Sequence, residues 1–131
     1  MKRRRSMYDF PPASQTRVRI TFEQCGSVLC FRLLGDDSLD STNSAEVKHA
    51  VVSEITGEVD LVIDLSAVRF IDSSGVGALV SVLKKARSRG RRMILAGVTP
   101  PVRSILEVIR LTAVFELRDT VEEALALLEG R

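Results

Sequence analysis

Two adjacent serines, Ser73 and Ser74, follow an aspartate and precede a glycine in the run Phe70-Ile71-Asp72-Ser73-Ser74-Gly75-Val76-Gly77. A hydroxyl in that setting has several uses. It can cap a helix by accepting a backbone N–H, with Gly75 and Gly77 there to let the helix pack closely. It can accept a phosphate, because a helix start offers free N–H groups and the positive end of the helix dipole. The added charge of about −1.5 to −2 then alters the surface shown to a partner, above all beside acids such as Asp72 and Asp40, through repulsion and desolvation. The same helix start can hold a phosphate or nucleotide, and either serine can serve as a nucleophile.

The last two uses lack the rest of their machinery. A hydrolase of this kind wants Gly-x-Ser-x-Gly with a histidine later in the chain, whereas the one histidine, His49, comes earlier. The glycines do not form Gly-x-Gly-x-x-Gly, and no Gly-x-x-x-x-Gly-Lys loop is present, so a phosphate- or nucleotide-binding module stays a weakly signalled alternative. Cys25 and Cys30 have no further cysteine or nearby histidine to complete a zinc site or a disulfide framework. Cys30 reads as core, and Cys25, beside Gly26, as a turn residue. The expectation is a protein that is not an enzyme, with no catalytic residue, cofactor or metal.

For the serines to open a helix, a strand must end just before them. Leu61-Val62-Ile63-Asp64-Leu65 is a short apolar run of the kind buried on both faces. Val76, Leu79, Val80 and Leu83 then mark the inner stripe of a helix that Gly90 closes. Upstream, the alternation Arg17-Val18-Arg19-Ile20-Thr21-Phe22 and the run Val28 to Leu34 predict a hairpin about a Gln24-Cys25-Gly26-Ser27 turn. A helix capped by Thr42 or Asn43 comes next, with Val47, Ala50, Val51 and Ile55 on one side and a stop near Gly57. Downstream come a strand at Met93 to Ala96 and a helix opened by Pro100 or Pro101 that carries Val102, Ile105, Leu106 and Ile109. A strand at Val114 to Leu117 leads to a last helix capped by Thr120, where Glu123 completes a capping box. Alternating strands and helices call for right-handed crossovers and parallel neighbours, so the second half is an α/β layer joined to an opening hairpin.

The 131 residues suit one compact domain. The net charge of +2 is less than Lys2, Arg3, Arg4 and Arg5 carry alone, so the remainder is net negative and poorly suited to a polyanion. No direct nucleic-acid partner is expected. No run approaches the roughly 20 apolar residues that span a bilayer, and Ser6 to Pro12 lack the apolar core of a signal peptide. The protein therefore reads as cytoplasmic, with no membrane partner. Residues 1–15, with adjacent prolines and no periodic pattern, read as a flexible basic tail, and residues 16–131 as the domain.

The run Val62-Ile63-Asp64-Leu65-Ser66, followed by Phe70 through Gly77 and then Ala78-Leu79, resembles the STAS domains, and within them the bacterial anti-sigma factor antagonists. Leu95-Ala96-Gly97-Val98-Thr99-Pro100-Pro101-Val102 and Val121-Glu122-Glu123-Ala124-Leu125 support the resemblance, which covers nearly all of residues 16 to 129. It implies an α/β STAS fold, a mixed β-sheet with an N-terminal hairpin and four α-helices. It also implies a partner-switching cycle in transcription regulation. The unphosphorylated protein binds an anti-sigma factor that is also a serine kinase of the GHKL type, and so frees a sigma factor. The kinase phosphorylates the serine directly after the aspartate, here Ser73, and a PP2C-type phosphatase restores it. Catalysis then belongs to the partners, and the protein acts as a monomer through Asp40, Asp72, Ser73, Ser74, Gly75, Val76 and Gly77. The alternative output is a non-sigma target: a stress-signalling complex, secretion or a phosphatase.

One part of the pattern departs from the family. Its Gly-Glu-Leu-Asp turn before the first helix is matched by Gly35-Asp36-Asp37-Ser38-Leu39-Asp40, which holds two extra residues. Asp40 takes the place of the family's aspartate, which lies near the phosphoserine, and the insertion leaves its distance from Ser73 open. Asp36 and Asp37 read as solvated loop acids and Asn43 as a cap.

Overall fold

Residues 3–129 are described by the computed structural model. The expected hairpin forms from β2 (Arg19–Cys25) and β3 (Val28–Leu34), antiparallel with Cys25 opposite Val28. Only Gly26 and Ser27 lie between the strands, and Gly26 at φ 60 supplies the left-handed step that a two-residue turn of this kind needs at its first position. The strand consequently runs to Cys25, further than the sequence pattern indicates. This also reverses the two cysteines: Cys25 is buried, whereas Cys30 is half-buried.

After β4 (Ser38–Leu39) the chain builds α1 (Ser44–Glu54), β5 (Asp60–Asp64), β6 (Phe70–Ile71) and α2 (Ser73–Ser88). It then adds β7 (Met93–Ala96), α3 (Pro100–Val108), β8 (Glu116–Arg118) and α4 (Val121–Glu129). The third, fifth, seventh and eighth strands are parallel neighbours, as crossover connections require. The last of them starts at Glu116, two residues beyond the expected Val114, because Val114 and Phe115 donate back to Leu111 in a turn.

Every residue of β5 is buried, because helices cover both sheet faces. Leu61 and Ile63 join the larger core with α1, α2 and α3, while Val62 faces α4 with Ile94, Ala96, Leu125 and Leu128. Burying a side chain such as Leu128 stabilises the docking of α4 by about 2 kcal/mol. Its start is fixed as the sequence indicates, with Glu123 N–H donating to Thr120 Oγ1 at 3.0 Å. At the end of α2, Gly90 and Arg91 donate to Arg87 and Ala86, a left-handed glycine cap at φ 69.

Two elements differ from the sequence reading. Residues 3–7, read as part of a tail, form β1 (Arg3–Met7), antiparallel to β2 at the sheet edge. The completed order is β1-β2-β3-β5-β7-β8. A strand pairs through its backbone and needs no apolar alternation when one face and one edge meet water. Arg5 on that edge pairs with Glu23 at 3.1 Å. Beyond it, Tyr8 and Phe10 meet edge to face at 4.9 Å and pack against the core. The second difference is a separate parallel pair, β4 with β6, which sets Ser38 opposite Phe70 and Leu39 opposite Ile71.

Candidate functional site

The cap of α2 is Asp72, not a serine. Its Oδ1 accepts from Gly75 N at 3.0 Å, so Ser73 and Ser74 become the first two helical residues. Both are exposed, and no hydrogen bond engages either hydroxyl among the described residues. Their N–H groups, lying in the first turn, have no intrahelical acceptor. A hydroxyl that is not spent on capping, at the positive end of a 16-residue helix, is free for chemistry.

Gly75 and Gly77 serve different ends. A Cβ on Gly75 would stand 2.2 Å from Leu39 O and 2.8 Å from Ile71 Cγ1, so the helix start presses directly onto the β4–β6 pair. A Cβ on Gly77 would meet nothing within 4 Å, and that residue is exposed. Val76 is buried, as part of the core beneath the tip. Of the surface read from sequence, Asp72, Ser73, Ser74 and Gly77 therefore form the exposed tip, and Gly75 and Val76 support it from below.

Backbone and carboxylate bonds tie the longer turn to the segment that leads into α2. Gly35 at φ 85 redirects the chain after β3, with an added Cβ only 2.3 Å from Arg17 O, so no larger residue fits. Asp37 O accepts from Arg69 N at 2.7 Å and Phe70 N at 3.1 Å, and Leu39 O accepts from Asp72 N at 3.3 Å. These bonds stitch the loop to the segment leading into α2. Ser41 N then donates to Asp72 Oδ2 at 3.1 Å, so one carboxylate caps the helix and fastens the Asp40 loop.

Asp40 is held by its neighbours: Ser38 Oγ at 2.6 Å, Thr42 N at 2.9 Å and Thr42 Oγ1 at 2.5 Å all donate to it. The Ser38 hydroxyl first, then Thr42, keep its carboxyl below the ordinary aspartate range, so it stays anionic at any physiological pH. Asp40 and Asp72 thus place two negative charges at the tip, and a phosphate on Ser73 would bring the local charge to about −4.

Asn43 is a site residue whose role the sequence does not show. It stands at the N-cap position of α1 but makes no side-chain cap bond. Instead its Oδ1 accepts from Asp40 N at 3.0 Å and its Nδ2 donates to Ser38 O at 2.7 Å, with the side chain only 2% exposed. It is the internal brace of the Asp40 loop. His49 is exposed on α1, away from any such network.

The model of the family described as the STAS domain matches residues 19–124. The chain is 30% identical over 114 residues to the anti-sigma F factor antagonist of Paenibacillus polymyxa, covering 86% of this chain and 96% of that protein. Its fold matches an anti-sigma-factor antagonist (STAS) domain protein from Planctomyces limnophilus with TM-score 0.77 at 21% identity, covering 84% and 97% of the two chains. It also matches the Bacillus cell fate determinant SpoIIAA in its phosphorylated form, with TM-score 0.64 at 23% identity, over 83% and 98%.

Proposed function

The chain belongs to the STAS domain family, and we propose that it is an anti-sigma factor antagonist whose partner binding is set by phosphorylation of Ser73. The observation that carries this reading is the division of labour at the start of α2: Asp72 takes the capping role, leaves the Ser73 hydroxyl exposed next to it and fastens the Asp40 loop with its other oxygen. A phosphate there needs no rearrangement of the fold, because it sits outside the core at a helix N-terminus. What it changes is the electrostatics of the tip, from −2 to about −4, which penalises any partner surface matched to the unmodified protein.

In the cycle we propose, the unphosphorylated chain binds an anti-sigma factor that is a GHKL-type serine kinase and thereby releases a sigma factor. The kinase transfers the γ-phosphoryl group of ATP to Ser73 Oγ, and the hydroxyl proton leaves to solvent or to a base on the kinase. A PP2C-type phosphatase returns the protein to its binding form. The chain itself acts as a regulator, not an enzyme. Among the described residues no helix is long and apolar enough to cross a membrane.

The test is phosphosite mapping by mass spectrometry after incubation with the cognate kinase and ATP, combined with titration of variants. Phosphate is expected on Ser73. Ser73→Ala should bind the kinase even with ATP present, and Ser73→Asp should bind at least tenfold more weakly, about 1.4 kcal/mol. Phosphate confined to another residue, or two variants that bind like the parent, would rule the switch out.

A further inference from the structure

Four apolar residues are expected to dock α3, but the helix buries only Val102 and Leu106. Ile105 is 41% exposed, Ile109 45% and Val108 79%. At about 100° per residue these three fall on one flank of the helix, and Arg103 and Glu107 on the other. α3 packs beside β6, whose Phe70 is 60% exposed three residues before Ser73. Of the large apolar side chains that the described residues expose, only Met7 lies outside this region. Scattered exposed apolar residues are ordinary; a grouped set beside a functional site is the mark of an interaction surface.

The charges around the group restrict what can cover it. Arg69 adjoins Phe70 and Arg110 adjoins Ile109; both are exposed, and neither forms an ion pair among the described residues. A second copy of the chain presenting the same flank of α3 would bring further arginines and no acid of that flank to pair with them. An anionic lipid surface would meet the acids of the adjoining tip, Asp40 and Asp72. A protein surface with apolar side chains, acids opposite Arg69 and Arg110, and no acid opposite Asp40 and Asp72 satisfies both constraints.

Resting on the Ser73 switch reading, we propose that the docking surface for the anti-sigma factor runs from the Ser73 tip across Phe70 onto the exposed flank of α3. The flank supplies the apolar centre of the interface, where most binding energy concentrates, and the tip supplies its charge-sensitive edge. The partner therefore presents apolar side chains flanked by Asp or Glu.

The experiment is calorimetric titration of the full chain with the serine-kinase anti-sigma factor of its own organism, with circular dichroism to verify each variant. Val108→Glu and Phe70→Ser should each weaken binding at least tenfold, and Val108→Lys should weaken it less than Val108→Glu because the partner's border is acidic. Val108→Ser serves as a milder second variant if either fails to fold. If Ser73→Asp weakens binding while the Val108 and Phe70 variants match the parent, the α3 surface is wrong and the tip reading stands. The reverse result supports the α3 surface and overturns the tip reading. A parent protein that binds no such kinase overturns both. Two further results sink the α3 proposal: a parent dimer that Val108→Glu dissociates in sedimentation, or binding to anionic vesicles that the same variant abolishes.

Discussion

At the scale of single residues, the two glycines of the serine motif separate packing from surface. Both suit a helix that must pack closely, yet only Gly75 has backbone in the way. Gly75→Ala should lower stability by about 1 to 3 kcal/mol, as overpacking against a carbonyl does. Gly77→Ala should be neutral or raise it by up to about 1 kcal/mol through helix propensity. Thermal melts of the two variants check this, and equal losses would mean that the helix start is not seated on Leu39. The motif was legible from sequence, and the exposed Ser73 and Ser74 stand where it puts them. The cap was not, because Asp, Ser and Asn are equally good caps and only the chain's path selects Asp72.

At the scale of elements, the parallel pair β4–β6 decides how the Asp40 loop meets α2. Two-residue strands have no periodicity to read, which is why Ser38–Leu39 and Phe70–Ile71 escaped the pattern while β7 was legible residue for residue. The tail reading of residues 3–7 missed β1 for a related reason, since an edge strand rich in arginine carries no apolar signal. The hidden pair also changes the part played by Asn43. It looks like a cap, but the element it stabilises is the loop in front of it. Asn43→Ala should remove two hydrogen bonds from a buried site and cost about 1 to 3 kcal/mol. Hydrogen exchange should then speed up at Asp40 and Ser41 more than within α1. Uniform acceleration along α1 would instead assign Asn43 an ordinary capping role.

Taken as a whole, the molecule is a sheet covered by three helices on one face and one on the other, and its far edge is closed by an ion pair. Arg92 donates to Glu116 at 2.6 Å and 3.0 Å, joining the start of β7 to β8. That hydrogen bond, ahead of the Coulomb attraction of Arg92, Arg118 and Arg87 and against partial burial, holds the Glu116 carboxyl below its ordinary value of 4.5. A depressed folded-state pKa adds stability that is present above 4.5 and is lost as pH falls through the lower folded value. The pair is about two-fifths exposed, which limits its worth to about 0.5 kcal/mol. Glu116→Gln should therefore lower stability slightly at pH 7 and flatten the acid limb of the curve, as urea melts at pH 7 and pH 3 would report. An unchanged acid limb would show that the pair contributes nothing.

The stitched loop has a consequence for what can vary beside Ser73. The carbonyls of Asp37 and Leu39 and the carboxylate of Asp72 bind the loop from Asp37 to Ser41 to the segment leading into α2. Backbone groups make most of these bonds, so side chains on the loop can change with little effect on where α2 starts. Under the proposed switch, side-chain changes on this loop would therefore alter what a partner meets while leaving the position of Ser73 unchanged.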